Sequence, residues 1–426
     1  MKIMVLCHSA WIEMMCHCWS TTGVEVVPFS LPTISMATDN ELRIQIARSL
    51  VNAVILGKPD LVVDVNASGI LPINGGASRW TTDYAGCPWC VWWWDAPPTC
   101  LAPMRHPEEV RPFLRRLRQQ HVRHFMWDRT LAQEYAVWFR QPVHWLPTAT
   151  HPGFFNPLAA QIQQAVCSNV DIAFLGSFGP GRPTAGSGDV DRLVAERVKE
   201  SECNYFEIVR RYPGVFSAFA STLALAVHAP DGPFHPELLD IKRQVDAGVG
   251  FWRRSLPLDW IRNSRLSCCF IGSNWPAIFK AKPIPVYQPA HLVEYYRHSL
   301  FSLELGNCQS HTGIAMRAYE IMASGGVLFC LERPDFDPTG ALESQVYLRA
   351  RVEELPDLCV RFRQASQTVR AIQHQARRYV VEHHSWNHRL LQLLSIVFTA
   401  SPAPGVPAPS SLDSPVAAYV PEDVYA

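Results

Sequence analysis

The stretch from residue 316 to residue 331 constrains the fold more than any other part of the chain. Residues 316–323 have helical character, Gly325 and Gly326 stop the helix, and residues 327–331 form a short apolar strand. A second apolar run at 300–305 precedes them across a polar loop. Strand, loop, helix, glycine and strand predict one βαβ unit, in which ligands bind at the carboxyl ends of the strands and at the helix N-terminus.

The same alternation of strands and helices recurs along the chain and predicts parallel sheets. The predicted strands lie at 2–7, 24–29, 60–65, 90–94, 124–127, 143–146, 170–175, 268–272 and 284–287. A length of 426 residues is too large for one ordinary core, and the turn-rich segment 147–157 predicts the boundary between two α/β domains. The predicted divisions are a first domain at 1–150, a second at 151–385 with a helical insertion at about 189–265, a C-terminal helix at 386–400 packing back toward the first domain, and a disordered tail at 401–426.

Composition excludes several classes of protein. The 38 basic and 38 acidic side chains cancel, so there is no electrostatic case for nucleic-acid binding. No apolar run approaches the roughly 18 residues of a membrane helix, and residues 1–6 are too short for a signal peptide. We therefore expect a cytoplasmic protein whose 13 cysteines stay reduced. Cys87 and Cys90 form one close pair, but Cys16 and Cys18 are spaced too tightly for a usual second, so we expect free cysteines rather than a metal site.

Five short segments carry a resemblance to a known family. They are WDAPP at 94–98, WLPTA at 145–149, DIAFLGS at 171–177, RAYEIMASGG at 317–326 and HHSWNHR at 383–389. Together they resemble the GT-B glycosyltransferases, and specifically the CgeB-type (spore-maturation-like) branch related to glycosyltransferase family 4. The resemblance covers most of residues 60–398. It implies two Rossmann-like, doubly wound domains facing a cleft, with a nucleotide diphosphate sugar on the second, an acceptor on the first, and no dedicated metal.

The resemblance implies roles for the central helix and the loop before it. Glu320 would bind the ribose hydroxyls, and Arg317 would either reach the diphosphate or pair with Glu320. The loop with His311, Thr312 and Gly313 would offer backbone N–H groups to the donor, and Thr312 could also cap the helix. Family 4 enzymes often carry a sugar-contacting glutamate where this chain has Thr312, which leaves the donor sugar unnamed.

Further donor contacts are predicted on other loops of the second domain. The loop with Gly176, Ser177 and Arg182 follows a strand and could admit a phosphate, although a flexible turn is an alternative. Lys280 could contact the diphosphate or be solvated, as could Lys282. Tyr287 could stack on the base or pack in the core. Residues 335–337 have the spacing of a DxD metal motif, but we expect a solvated loop there.

Asp95 is the main candidate on the first domain. It follows an apolar strand, and the flanking bulk is expected to raise its pKa toward that of a general base. It would be the base of an inverting enzyme or position the acceptor in a retaining one; a structural cap on the following Pro-Pro turn is the alternative. His8, Ser9, Asn66 and Ser68 follow other strand ends and are weaker candidates.

These features predict a metal-independent glycosyltransferase that moves a sugar from a nucleotide diphosphate donor to an unidentified acceptor. The donor is a substrate, and no other cofactor is expected. Two alternatives stay open: a GT-B-fold nucleotide-sugar epimerase, and a non-catalytic binding or scaffold protein of the same fold.

Overall fold

The structure is a computed structural model of the 426-residue chain. It describes residues 1–32, 40–74, 79–97, 100, 107–157, 169–176, 254, 257–282, 289–306, 312–330 and 333–399. Several predictions lie outside these ranges and concern Ser177, Arg182, Tyr287, His311, the tail at 401–426 and most of the insertion at 189–265. The proposed domain boundaries stay predictions.

Six strands in the first part of the chain form a parallel sheet. The strands are β1 (Lys2–Cys7), β2 (Glu25–Ser30), β3 (Leu61–Val65), β4 (Trp89–Trp93), β5 (Val122–Met126) and β6 (Val143–Trp145). Their order across the sheet is β2-β1-β3-β4-β5-β6. The helices of this half are α1 (Ala10–Ser20), α2 (Asn40–Gly57), α3 (Pro107–Leu117) and α4 (Arg129–Phe139). All residues of β3 and β4 are buried, as expected of parallel strands whose two faces are both covered.

Successive side chains of this sheet enter two separate cores. Trp93 packs with α2, α3 and α4 on one face, whereas Trp92 packs with α1 and the C-terminal helix on the other. The alternation follows from the two-residue period of a strand, which sends neighbouring side chains to opposite faces. The sheet therefore ends in an edge, lined by the loops after β1, β3, β4 and β5, that lies between two helical layers.

A second parallel sheet has four described strands. They are β7 (Val170–Leu175), β8 (Cys268–Ile271), β9 (Ser299–Glu304) and β10 (Leu328–Cys330), in the order β10-β9-β7-β8. The helices of this half are α5 (Pro289–Arg297), α6 (Met316–Ala323), α7 (Leu355–Gln364) and α8 (Ser366–His383). The predicted βαβ unit is confirmed as β9, α6 and β10. Gly325 has φ +74°, a left-handed conformation that ends α6 at little steric cost.

The last helix, α9 (Trp386–Thr399), packs on the first half of the chain. The Trp19 indole donates to the backbone oxygen of Trp386 at 2.8 Å, and the Trp94 ring stacks on the Trp386 ring at 5.4 Å. The buried Arg389 guanidinium donates from Nε to the carbonyl of Pro147 at 2.8 Å. Helix α9 is thus tied to the segment that leaves the first sheet.

Burial changes the pKa of a histidine at this contact between α9 and the first half of the chain. Burial and the charge of Arg389 hold the pKa of His384 well below its usual value, so the His384 ring is neutral and accepts a hydrogen bond from Arg389. Elsewhere, none of the helices formed by the described residues has the length and apolar character needed to cross a membrane.

Candidate active site

Three polar residues meet at the carboxyl edge of the first sheet. His8, Asn66 and Asp95 directly follow or lie two residues beyond β1, β3 and β4, which are neighbours in the sheet. The Asn66 Nδ2 donates to Asp95 Oδ2 at 2.9 Å, and the Asn66 Oδ1 accepts from the backbone N–H groups of Trp94 (2.8 Å) and Asp95 (3.0 Å). His8 Nε2 lies 3.4 Å from the carbonyl oxygen of Val65. The structure therefore brings Asp95 together with two of the weaker candidates.

The environment of Asp95 favours its protonated form. Burial raises the pKa of the Asp95 carboxyl, while the Asn66 amide and the nearby His8 oppose that shift. Burial also lowers the pKa of His8, against opposing effects of the Val65 carbonyl and Asp95. A raised pKa makes the Asp95 carboxylate a better proton acceptor than an exposed aspartate, which is the property that a general base requires.

On the second sheet, Arg317 and Gly176 lie side by side. A Cβ atom on Gly176, at the end of β7, would come within 3.0 Å of Arg317 Nη1. The Gly176 carbonyl accepts from the Trp275 indole at 2.7 Å. A Cβ on Gly272 would collide with that carbonyl, so this corner needs glycine. The strand end is thus open enough for the guanidinium to lie against the backbone.

Glu320 lies one turn further along α6 and is 1% exposed. The hydroxyl of Tyr296 is influenced by both Glu320 and Arg317. Burial and the Glu320 carboxylate raise the pKa of Tyr296, and Arg317 lowers it. Arg317 and Glu320 therefore both influence this buried hydroxyl. A cation and a carboxylate thus lie near one another in the first part of α6. Its use for a diphosphate and a ribose stays a prediction.

Lys280 ends a short 3₁₀ turn at Ala277–Phe279 with a left-handed φ of +49°, and its side chain is exposed, as is that of Lys282. No contact joins Lys280 to Arg317 or Glu320 within the part of the chain that the structure describes. Its assignment to the diphosphate stays a prediction without geometric support.

Thr312 and Gly313 use their backbone N–H groups inside the protein. Both donate to Asp128 Oδ2 at 2.8 Å, in the first half of the chain. The expected helix cap by Thr312 is wrong, because the N-cap residue of α6 is Ala315, which makes no side-chain cap. The Thr312 hydroxyl instead lies 3.0 Å from an Asp335 carboxylate oxygen. In this conformation the amides predicted to face the donor are occupied by a carboxylate.

Asp128 was not predicted as a site residue. It directly follows the predicted strand at 124–127, caps α4 by accepting from the Leu131 N–H at 3.0 Å, and is fully buried. A Cβ atom on Gly313 would lie 2.9 Å from the Trp127 ring, so the loop before α6 packs directly on the end of β5. The usable signal was the Trp-Asp pair after a strand, which repeats the pattern of Trp94 and Asp95.

The loop at 335–337 is also different from the expectation. Asp335 accepts from the Arg129 N–H at 2.8 Å, and burial raises the pKa of its carboxyl, with the Asp128 charge adding to the effect. Asp337 accepts from the Leu342 N–H and from the Tyr347 hydroxyl. A solvated loop is therefore wrong: both carboxylates are buried and hydrogen-bonded. Within the described residues no cluster of three or more His, Cys, Asp or Glu could hold a metal ion.

The two groups of residues approach one another through apolar contacts. Trp94, beside Asp95, and Met316, beside Arg317, both pack against the core that contains Trp92 and Trp386. The start of α6 therefore lies on the same side of the first sheet as the Trp94–Asp95 strand end.

Among the cysteines, Cys7 and Cys16 lie 3.5 Å apart between sulfur atoms, and the ten cysteines that the structure describes are free thiols.

Comparison with known proteins bears on the second half of the chain first. Residues 253–395, which include α6 and the loop before it, match a family described as "Glycosyl transferase-like". The predicted glycosyltransferase is therefore confirmed as a family likeness over residues 253–395. No curated protein matches the chain in sequence.

Solved structures with a similar fold cover both sheets. Sucrose-phosphate synthase from Thermosynechococcus elongatus is 12% identical, with 94% of this chain and 100% of that chain covered and a TM-score of 0.50. A glycosyltransferase from Rickettsia africae is 12% identical over 93% and 97%, with a TM-score of 0.43. Anabaena HepE, solved with UDP-glucose, is 10% identical over 94% and 100%, with a TM-score of 0.46. The first of these confirms the predicted α/β GT-B fold.

Proposed function

We propose that this chain is a glycosyltransferase of the CgeB-type branch related to family 4, with a nucleotide diphosphate sugar as donor. The observation that carries the proposal is the start of α6, where Arg317 lies against the backbone of Gly176 and the buried Glu320 lies one turn away. A cation at an open strand end suits a diphosphate, and a carboxylate beside it suits a ribose diol.

The chemistry assigns a role to each half of the site. The bond between the anomeric carbon and the diphosphate oxygen breaks, and the diphosphate leaves with the electron pair. Arg317 and backbone N–H groups stabilise the departing negative charge, a task that needs no metal ion. Glu320 accepts hydrogen bonds from the ribose hydroxyls. The acceptor hydroxyl approaches from the first sheet, at Asp95.

The amides of Thr312 and Gly313 join the donor site only if Asp128 releases them. In the present conformation they are hydrogen-bonded to that carboxylate. We propose that donor binding on α6 begins at Arg317 and Glu320 and does not depend on these two amides.

The test is a thermal-shift panel of UDP-glucose, GDP-mannose, dTDP-glucose and ADP-glucose, followed by calorimetry of the nucleotide sugar that stabilises most. A ligand that binds the folded state raises its stability in proportion to the logarithm of ligand concentration over Kd. Glu320→Gln preserves size and removes the charge. We expect it to weaken binding by about tenfold or more, the value of one charge-assisted hydrogen bond.

Glu382→Gln is the matched control, because Glu382 lies exposed on α8 and pairs only with its neighbour Arg378 at 2.8 Å among the described residues. It should bind as the wild type does. Equal affinity of Glu320→Gln and wild type would overturn the ribose assignment, and no binding of any of the four donors would overturn the proposed function.

A further inference from the structure

The side chain of Asn66 fixes the position of Asp95 from two directions. Its carbonyl oxygen accepts from the Trp94 and Asp95 N–H groups, which sets the backbone after β4, and its amide donates to the Asp95 carboxylate. We propose that Asn66 is a positioning residue, which aims the Asp95 carboxylate at the acceptor hydroxyl. This inference rests on the proposed function.

The local backbone shows that the contact is built into the loop. Asn66 has φ +60° and Ala67 has φ +56°, so two successive residues after β3 adopt left-handed conformations. Asparagine tolerates this region better than most residues. The turn places the Asn66 side chain across the gap to the neighbouring strand. Among the described residues, Asn66 is the only side chain that hydrogen-bonds the Asp95 carboxylate.

Asp95 would act as the base in an inverting transfer, in which the acceptor oxygen attacks the anomeric carbon directly. The acceptor O–H proton passes to the Asp95 carboxylate, the acceptor oxygen bonds to the anomeric carbon, and the bond from that carbon to the diphosphate breaks. Asp95 later releases the proton to solvent. A base must lie within hydrogen-bond reach of the proton that it takes, and small errors in its placement lower the rate strongly.

Other groups around Asp95 affect its charge and must be separated from Asn66. His8 faces it from the loop after β1 and favours its ionised form. The Cys100 sulfur lies 4.0 Å from the backbone carbonyl oxygen of Asp95. The Asn66 amide and His8 both lower the pKa of Asp95 against the effect of burial, and the amide has the larger effect. Removing the Asn66 amide is therefore expected to raise the pKa of Asp95 further, as burial does.

The decisive variant is Asn66→Asp. It keeps the shape of the side chain and an oxygen for the two N–H groups, but it replaces the amide donor with a second carboxylate beside Asp95. The control is Asn52→Asp, which makes the same change at an exposed residue of α2, away from the strand ends. Hydrolysis of UDP-glucose, GDP-mannose, dTDP-glucose and ADP-glucose is measured from pH 5 to pH 9, with water as the acceptor.

We expect Asn66→Asp to lower kcat by about 10- to 100-fold with KM for the donor unchanged, and to move the acidic limb of the profile to higher pH. Asn52→Asp should keep the wild-type profile. If the wild type binds a donor and Asn66→Asp and its control have the same kcat and the same pH profile, this inference is overturned and the proposed function stands. Failure of the wild type to bind any of the four donors overturns the proposed function instead.

A second measurement needs no turnover. Melting temperatures of the wild type and both variants are compared between pH 5 and pH 8. Two carboxylates at 66 and 95 make a shared proton more favourable in the folded state, so the Asn66→Asp variant should lose stability relative to wild type as pH rises. A constant difference across this range would show that Asn66 does not act on Asp95 and would overturn the inference.

Discussion

Two neighbouring strands of the first sheet end in the same dipeptide and have different surroundings. Trp94–Asp95 follows β4 and Trp127–Asp128 follows β5, and both indole N–H groups are buried with no hydrogen-bond partner among the described residues. Asp128 is fully buried and accepts from the N–H groups of Leu131, Thr312 and Gly313. Asp95 is partly exposed and accepts from one amide side chain. A carboxylate surrounded by backbone N–H groups serves the fold, whereas one that retains solvent access and a raised pKa can serve chemistry.

The largest expected effect separates the two carboxylates by activity. Asp95→Asn removes the proposed base without changing its size, and general-base catalysis typically contributes about 10²- to 10⁴-fold. We expect a loss of that order in kcat for donor hydrolysis, with donor affinity by calorimetry unchanged. The same assay on Asp128→Asn should show a loss at least tenfold smaller. Equal losses in the two variants would contradict the functional distinction between the strand ends.

The second prediction concerns stability, to which Asp128 rather than Asp95 is expected to contribute. Asp128→Ala leaves buried N–H groups of Leu131, Thr312 and Gly313 without their acceptor and removes the cap of α4. We expect the free energy of unfolding to fall by about 3 kcal/mol, from the cost of unsatisfied buried donors and of a lost N-cap. Urea unfolding measures it, and Asp259→Ala is the control.

Asp259 is half-exposed and pairs with Arg262 within one helical turn, so its removal should cost less than about 1 kcal/mol. Asp128→Asn should lie between the two, because one amide oxygen remains as an acceptor. If Asp128→Ala were as stable as Asp259→Ala, the contact between the loop before α6 and the end of β5 would not hold in solution.

The sequence predicted the strands well because their signal is local. The runs at 2–7 and 170–175 became strands with those bounds, since both are apolar on two faces and flanked by polar turns. The glycine stop after α6 was equally local. Asp95 could be singled out because it follows a strand whose end is visible in the sequence, and Glu320 because it lies in a segment that carries the family resemblance.

The contacts of Asp128 could not be predicted in this way. Its partner Thr312 lies 184 residues further along the chain, and nothing in either local sequence specifies the other. The helix cap assigned to Thr312 was wrong because α6 begins at Met316, four residues later, and the hydroxyl is used by Asp335. The partners of Asp335 are also distant in the chain, at Arg129 and Thr312, whereas those of Asp337 lie only five and ten residues further on, at Leu342 and Tyr347.

The third prediction uses pH to compare Asp95 with its neutral variant. An unfolded aspartate has a pKa near 3.9, and burial raises the folded value of Asp95 above it. The folded state therefore binds more protons than the unfolded state in the interval between these pKa values, and stability falls as pH rises through it. Each unit of difference is worth about 1.4 kcal/mol.

Asp95→Asn has no such dependence, so its stability relative to wild type should increase from pH 4 upward until the folded pKa of Asp95 is passed. Asp64, with a pKa raised to about 7, and Asp335 contribute the same sign in both proteins and cancel in the difference. Urea unfolding between pH 4 and pH 8 gives the curve. A difference that is flat or that decreases with pH would mean that Asp95 is not desolvated, and the case for a strengthened base would fail.

The smallest expected effect tests how firmly the loop before α6 lies on the end of β5. Gly313→Ala places a methyl group 2.9 Å from the Trp127 ring, so the loop or the ring must shift, at a cost of about 1 kcal/mol. Gly86→Ala is the matched control because a Cβ there meets no atom of the described residues within 4 Å. If Gly313→Ala costs no more than Gly86→Ala in urea unfolding, the loop leaves Trp127 readily and the Thr312 and Gly313 amides become available to a donor. A clear cost, with donor affinity unchanged, would instead assign this loop to the joint between the two sheets and leave Arg317 and Glu320 as the donor contacts of α6.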